Sequence, residues 1–109
     1  MRDTTEERIV DNNLTFRRAN ERIRAKAEEY EAPLELIPFL CECPRPDCVE
    51  VVRMTIPQYA AVRANPAHFF TAPGHEDAEA PVGRVVANED GYVLIEKKPG
   101  SRRRVGWPR

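Results

Sequence analysis

The three cysteines of this 109-residue chain, Cys41, Cys43 and Cys48, lie within one eight-residue segment. Thiolates are strong zinc ligands, and a structural zinc ion takes four ligands from cysteine and histidine side chains. Two cysteines at i and i+2 on an extended segment point to the same side, so Cys41 and Cys43 can bind one ion together. A Pro-Gly-His-Glu turn at Pro73–Glu76 supplies His75 as the fourth ligand. The spacing predicts a Cys3His site for structural Zn²⁺.

The choice of the fourth ligand stays open, because the chain has a second histidine and nearby carboxylates. Gly74 permits a tight turn and close backbone approach directly before His75. His68 falls in a predicted strand, where its side chain can lie on either face. Glu42 and Asp47 are further donors within the cysteine segment. We therefore expect His75 as the ligand, with His68 as the alternative.

A catalytic or a redox-sensing role for the ion is an alternative to the structural one. With water as the fourth ligand, zinc activates that water, and Glu42 or Glu76 can serve as general base. Glu76 can instead orient the imidazole. Oxidation of the thiolates would release the metal. Because the sequence has no His-Glu-x-x-His, no phosphate-binding glycine loop and no nucleophile elbow, we do not expect an enzyme.

Composition and length limit the size of the hydrophobic core. Apolar residues make up 41% and charged residues 32% of the chain. The part expected to fold, residues 33–97, is short enough to need a metal, a disulfide or a partner. No apolar run approaches the roughly 20 residues that span a bilayer, and the N-terminus lacks the apolar centre of a secretory signal. We expect a cytoplasmic protein with reduced cysteines.

Charge is unevenly distributed along the chain. Residues 33–96 have four basic and ten acidic side chains, whereas residues 97–109 have six basic and no acidic ones. We expect residues 98–109 to form a basic, disordered tail. Arg102, Arg103 and Arg104 can neutralise phosphates and Trp107 can stack on a base, so nucleic-acid binding is an alternative function. The acidic net charge of the preceding residues opposes it.

The chain begins with a predicted helix over Glu6–Glu31, started by a capping box at Thr4 and Glu7 and ended before Pro33. Its apolar residues recur every seven positions, at Ile9, Phe16, Ile23 and Tyr30. We expect this helix, residues 1–32, to pack on its own chain through one apolar edge. A homodimer or a partner bound through the same edge is the alternative.

Residues 33–97 are predicted to form a small α+β domain stapled by the zinc site. Short runs of strand-forming residues and turn signals predict its elements. Thr55 with Gln58, and Pro57 in the first turn, predict a helix start, and Asn65-Pro66 predicts its end after Arg63. The predicted strands are Leu36–Leu40, Val49–Met54, His68–Thr71, Gly83–Ala87 and Tyr92–Lys97, with a turn at Asp90-Gly91 between the last two.

A set of short motifs spans residues 14–97. They are Phe16–Ile23, Cys41–Glu50, Ile56–Tyr59, Val62–Pro66, Phe69, Pro73–Glu76, Arg84–Val86 and Gly91–Val93. Together they resemble a family of small actinobacterial proteins that read Cys-Glu-Cys-x4-Cys, then Tyr-x-x-Val-Arg, then Pro-Gly-His-Glu. The resemblance implies that Cys41, Cys43, Cys48 and His75 belong to one site. It implies no particular activity, and the basic tail lies outside it.

The function expected from these features is that of a small zinc-binding regulatory or adaptor protein that acts by protein–protein interaction. The amphipathic first helix, the acidic domain and the lack of a catalytic motif beyond the metal ligands favour it. Nucleic-acid binding through the tail and zinc-dependent hydrolysis are the alternatives.

Overall fold

The computed structural model describes residues 5–30, 35–45, 47–79 and 82–98. They form an α+β fold, as predicted. Thr4, Pro33 and residues 99–109 of the basic tail, on which three of the predictions depend, lie outside the described residues. The elements in chain order are α1 (Thr5–Glu28), β1 (Ile37–Leu40), β2 (Val51–Met54), α2 (Ile56–Arg63), β3 (His68–Thr71), a 3-10 turn (Glu76–Glu79), β4 (Gly83–Glu89) and β5 (Tyr92–Lys97).

Within these ranges the strands divide between two antiparallel sheets rather than forming a single one. β1 and β2 make a hairpin in which Ile37 pairs with Met54 and Leu40 with Val51, so the cysteine segment is the connection between them. The other sheet has the order β3-β5-β4.

The start of α2 follows its predicted chemistry. Thr55 is the N-cap: its hydroxyl accepts a hydrogen bond from the backbone N–H of Gln58, at 3.2 Å, and its own backbone N–H donates to Gln58 Oε1 at 2.8 Å. This reciprocal pair satisfies two donors that the first turn of a helix leaves without partners. Because the cap fixes where α2 begins, it also fixes which residues face inward, namely Tyr59 and Val62.

The β4–β5 hairpin turns through Asp90 and Gly91, as predicted, and Gly91 has a φ of 93°. A residue with a side chain rarely adopts this left-handed conformation, so glycine is favoured there. Gly83, at the other end of β4, is required for a different reason. A Cβ there would lie 2.8 Å from Ile95 Cγ2, so only glycine lets β4 approach β5 this closely.

Helix α1 packs against its own chain at both ends. Near its start, Ile9, Val10 and Leu14 are buried in a cluster with residues of the three-stranded sheet, among them Phe69 and Ile95. Further along, Ile23 packs against a second cluster that contains Phe39, Tyr59 and Phe70. The interpretation of α1 as a helix laid on its own chain is therefore confirmed.

The exposed end of α1 departs from the seven-residue pattern. Tyr30, the last member of that pattern, follows the helix and is 71% exposed. Two polar residues, Asn13 and Asn20, are fully buried instead. The stripe that packs on the sheets thus mixes aliphatic and amide side chains. None of the described helices is long and apolar enough to cross a membrane.

Candidate metal centre

The four predicted ligands come together. Cys41 directly follows β1, Cys43 and Cys48 lie in the connection to β2, and His75 lies in the turn after β3. One ligand atom from each residue can be chosen so that all four lie within 4.8 Å of one another. The cysteine loop and the His75 turn are 27 or more residues apart in sequence. The fold, rather than local sequence, therefore closes the ligand set.

The distances within the cluster fit a tetrahedral ion. His75 Nδ1 lies 3.6 Å from both Cys41 Sγ and Cys48 Sγ. Zinc bonds of about 2.3 Å to sulfur and about 2.0–2.1 Å to nitrogen place a tetrahedral sulfur–nitrogen pair about 3.6 Å apart. The donor set and its geometry thus fit a metal site.

The three thiols differ in their pKa values because of their hydrogen bonds and burial. A hydrogen bond from Cys41, with smaller help from His75, lowers the pKa of Cys43 to about 5. The same hydrogen bond to Cys43, together with burial, raises the pKa of Cys41, and burial raises that of Cys48. A thiolate is the form of cysteine that binds metals, and a dication stabilises several of them at once. The cluster is therefore electrostatically suited to a bound cation.

Backbone groups support the ligands. The N–H of Ala72 donates to Cys41 Sγ at 3.2 Å, and the N–H of His75 donates to the carbonyl of Ala72 at 3.1 Å. Gly74 reaches a φ of 93° in this turn. Because a left-handed residue precedes His75, the chain reverses sharply enough to return the imidazole to the cysteines.

Glu76 has a different role from the one expected of it as a partner of the imidazole. Its Oε1 accepts a hydrogen bond of 2.7 Å from the backbone N–H of Gly74. Glu76 thus fixes the turn that presents His75. His68, the alternative ligand, pairs with Glu96 in the three-stranded sheet and does not belong to the cluster of ligand atoms.

Glu42 lies between two ligands, but its side chain belongs to another network. It is fully buried and accepts hydrogen bonds from Asn20 Nδ2 at 2.8 Å, Arg63 Nη2 at 2.7 Å and the backbone N–H of Phe70 at 3.2 Å. Alternation along an extended segment points Glu42 away from Cys41 and Cys43. The carboxylate is not among the clustered ligand atoms, and three donors occupy it.

Three asparagines of α1 hold the backbone of the cysteine segment. Asn12 Nδ2 donates to the carbonyl of Pro44 at 2.7 Å, and Asn13 Nδ2 donates to that of Glu42 at 2.6 Å. Asn20 makes a matched pair with Leu40, donating to its carbonyl at 2.9 Å and accepting from its N–H at 2.7 Å. Buried backbone groups need such hydrogen-bond partners, and the asparagine side chains supply them here.

The sequence analysis missed these asparagines as site residues. A signal for them exists: Asn13 and Asn20 are seven residues apart on one helix face, next to the apolar positions Ile9 and Ile23. Asparagine is a weak helix former, so its repeated use on the inward face of a helix indicates side-chain hydrogen bonds. The acceptor could not be named from the sequence alone.

Arg63 completes the network around Glu42. Its guanidinium carbon lies 5.1 Å from the centre of the Tyr59 ring and 5.6 Å from that of Phe70. Burial opposes its charge, but the Glu42 carboxylate and other nearby acidic groups outweigh that effect and raise the pKa of Arg63. Arg63 therefore keeps its charge, and its hydrogen bond to Glu42 connects α2 to the cysteine segment.

Comparison with protein-family models, with curated proteins and with solved structures finds no match to this chain.

Proposed function

We propose that this protein is a small adaptor module whose fold is held together by a structural zinc ion bound to Cys41, Cys43, Cys48 and His75. The observation that carries the proposal is the distance of 3.6 Å from His75 Nδ1 to two of the sulfurs, the spacing of a tetrahedral ion. Four protein ligands fill the coordination of a structural zinc ion. When bound, the ion would join the cysteine loop to the turn after β3.

The surroundings of the ligands favour a structural rather than a catalytic ion. A catalytic zinc keeps one position for water or substrate, whereas this ligand set supplies four protein donors. Glu42, one of the two candidates for a general base, is fully buried and hydrogen-bonded. Glu76, the other, is bound to the Gly74 backbone. We infer that the protein is not a zinc hydrolase.

Metal analysis tests this proposal. The purified full chain is expected to contain one equivalent of zinc, and its cobalt-substituted form should show visible bands of a tetrahedral ion with sulfur-to-cobalt charge transfer. X-ray absorption should count three sulfurs and one nitrogen around the zinc. A spectrum with an oxygen ligand in place of one of these would indicate an open site and contradict the structural role. If the protein purified under reducing conditions contains no metal and does not bind added zinc, the proposal is wrong.

A surface at the C-terminal end of α1 supports the adaptor role. A groove of about 320 Å³ lies there, and Tyr30 and Leu36 beside it are 71% and 60% exposed. Because Ile9 is buried within the chain, a partner has to use apolar groups further along α1. The partner we propose is a second protein that places an apolar side chain in this groove. The groove is lined by Ile23, Lys26, Ala27, Tyr30, Glu35 and Ile37.

Site-specific photo-crosslinking in cells tests the adaptor role. A crosslinking amino acid at position 30 is expected to give a discrete adduct that the same amino acid at position 22, an exposed position of α1, does not give. Ala27→Arg should abolish the adduct by filling the groove. If the adduct contained a second copy of this chain, the groove would serve self-association and the adaptor role would be wrong. Equal labelling from both positions would contradict the groove as a binding surface.

A further inference from the structure

We propose that a second pocket, between α1 and α2, binds an oxyanion of the phosphate type. The pocket has a volume of about 410 Å³, within the range of small-molecule sites. None of its lining residues is a metal ligand, so this proposal goes beyond the structural zinc ion. The lining residues are Leu14, Arg17, Arg18, Glu21, Arg24 and Arg63.

Positive charge exceeds negative charge in this pocket. Arg24 lies 3.5 Å from Glu21 and 3.2 Å from Glu28, and Arg63 lies 2.7 Å from Glu42. Among the described residues that line the pocket, four are arginines and one, Glu21, is acidic. Positively charged side chains are thus concentrated in one concave pocket, and the resulting potential attracts anions.

Arg63 provides a fixed charge at this pocket. Its side chain is only 7% exposed, and among the described residues its Nε and Nη1 are buried without a hydrogen-bond partner. Buried donors without acceptors are rare in native proteins and call for a water, an ion or a ligand. The Tyr59 and Phe70 rings hold the guanidinium in place, so little side-chain freedom is lost when an anion approaches.

Arg17 stands close to this fixed charge. Burial and the charge of Arg63 lower the pKa of Arg17, whose Nη1 donates to the carbonyl of Pro66 at 2.8 Å. The guanidinium groups of Arg17 and Arg63 repel one another, and an anion bound between them would be stabilised by both. Arg18 is exposed at the rim and forms no ion pair with another described residue. It is therefore available to contact a ligand from the solvent side.

Phosphate fits this arrangement better than a carboxylate does. Several arginines can surround a tetrahedral oxyanion, each contributing a planar pair of donors. A phosphomonoester carries between one and two negative charges near neutral pH and offers three acceptor oxygens, which suits a pocket lined by several guanidinium groups. The pocket is larger than one phosphate group, so the ligand class is a phosphorylated molecule.

The test is an NMR titration of the full-length, zinc-loaded protein with inorganic phosphate, at an ionic strength held constant with sodium chloride. We expect saturable shifts of the arginine Nε–Hε signals of Arg17, Arg18 and Arg63. Arg18→Gln should weaken binding about tenfold, the loss of one charge-assisted hydrogen bond. Arg22→Gln removes the same charge from an exposed position of α1 outside the pocket and should leave affinity almost unchanged.

Two outcomes would overturn the proposal: no saturable shift at constant ionic strength, or equal weakening by Arg18→Gln and Arg22→Gln. A second titration, with a single-stranded oligonucleotide that lacks a terminal phosphate, identifies the source of the phosphate group. Tighter binding of inorganic phosphate than of this oligonucleotide, per phosphate, assigns the pocket to a phosphorylated small molecule. Tighter binding of the oligonucleotide, with the same Arg18 dependence, assigns it to a nucleic-acid backbone.

Discussion

At the scale of single residues, substitution of each histidine in turn tests which imidazole binds the metal. His75→Ala should weaken zinc binding at least about 100-fold, beyond the roughly 10–100-fold lost when only a supporting residue is removed. The reason is that one of four ligands is lost. Competition with a chromogenic chelator measures the affinity.

His68→Ala is the matched control for that substitution. His68 lies in β3, outside the cluster of ligand atoms, so its removal should leave the zinc affinity unchanged. If instead His68→Ala released the metal and His75→Ala did not, the assignment of the fourth ligand would be wrong.

Two glycines have the same left-handed backbone conformation, but only one of them lies in the turn before His75. Substituting each by alanine compares backbone strain in that turn with the same strain elsewhere. Gly74 and Gly91 both have a φ of 93° and open space where a Cβ would lie. Alanine at either position should destabilise the fold by about 1–2 kcal/mol. Only Gly74→Ala should also weaken zinc binding, by about 5–30-fold if the strain is released by displacing His75. Chemical denaturation and zinc competition on both variants check this, and equal zinc affinities would refute the role of the Gly74 turn.

At the scale of elements, the Glu42–Arg63 pair joins the cysteine segment to α2. Glu42→Gln keeps the shape of the side chain but leaves the Arg63 charge buried without a counter-charge. We expect a loss of about 3–5 kcal/mol in the free energy of unfolding, the usual cost of breaking a buried ion pair. Urea denaturation of the zinc-loaded protein measures it.

An exposed ion pair of the same chemistry is the control. Arg84 and Glu96 join β4 to β5 at 3.0 Å, and the Arg84 side chain is 71% exposed. Arg84→Gln should therefore cost no more than about 1 kcal/mol. Similar losses for Glu42→Gln and Arg84→Gln would mean that burial does not distinguish the two pairs and that the network around Glu42 is not structural.

At the scale of the whole molecule, removal of the metal should destabilise the fold strongly. A ligand present at about 1,000 times its Kd contributes about 4 kcal/mol, and each kcal/mol shifts Tm by about 4–8 °C in a domain of this size. We therefore expect a strong chelator to lower Tm by at least about 15 °C or to abolish the cooperative transition. Differential scanning calorimetry measures both, with restoration by added zinc as the control. An unchanged Tm after complete removal of zinc would contradict a structural ion.

The elements themselves were largely predictable because their signals are local. Thr55 and Gln58 fix the start of α2, and alternation with turn residues marks β3 and the β4–β5 hairpin. The division of the strands into two sheets was not predictable. It depends on how α2 and α1 pack over the strands, and short strands carry little information about their neighbours.

By itself, the sequence determined which residues could supply ligands to the candidate metal centre, with His75 expected and His68 left as the alternative fourth ligand. Cysteine spacing and a glycine before His75 are local constraints, so they could be identified before the fold was known. Only the tertiary structure decided the roles of Asn13, Asn20 and Glu42, and brought the arginines of α1 and α2 to one pocket. Buried polar groups must find partners, but which partner each one finds depends on the elements that meet in space.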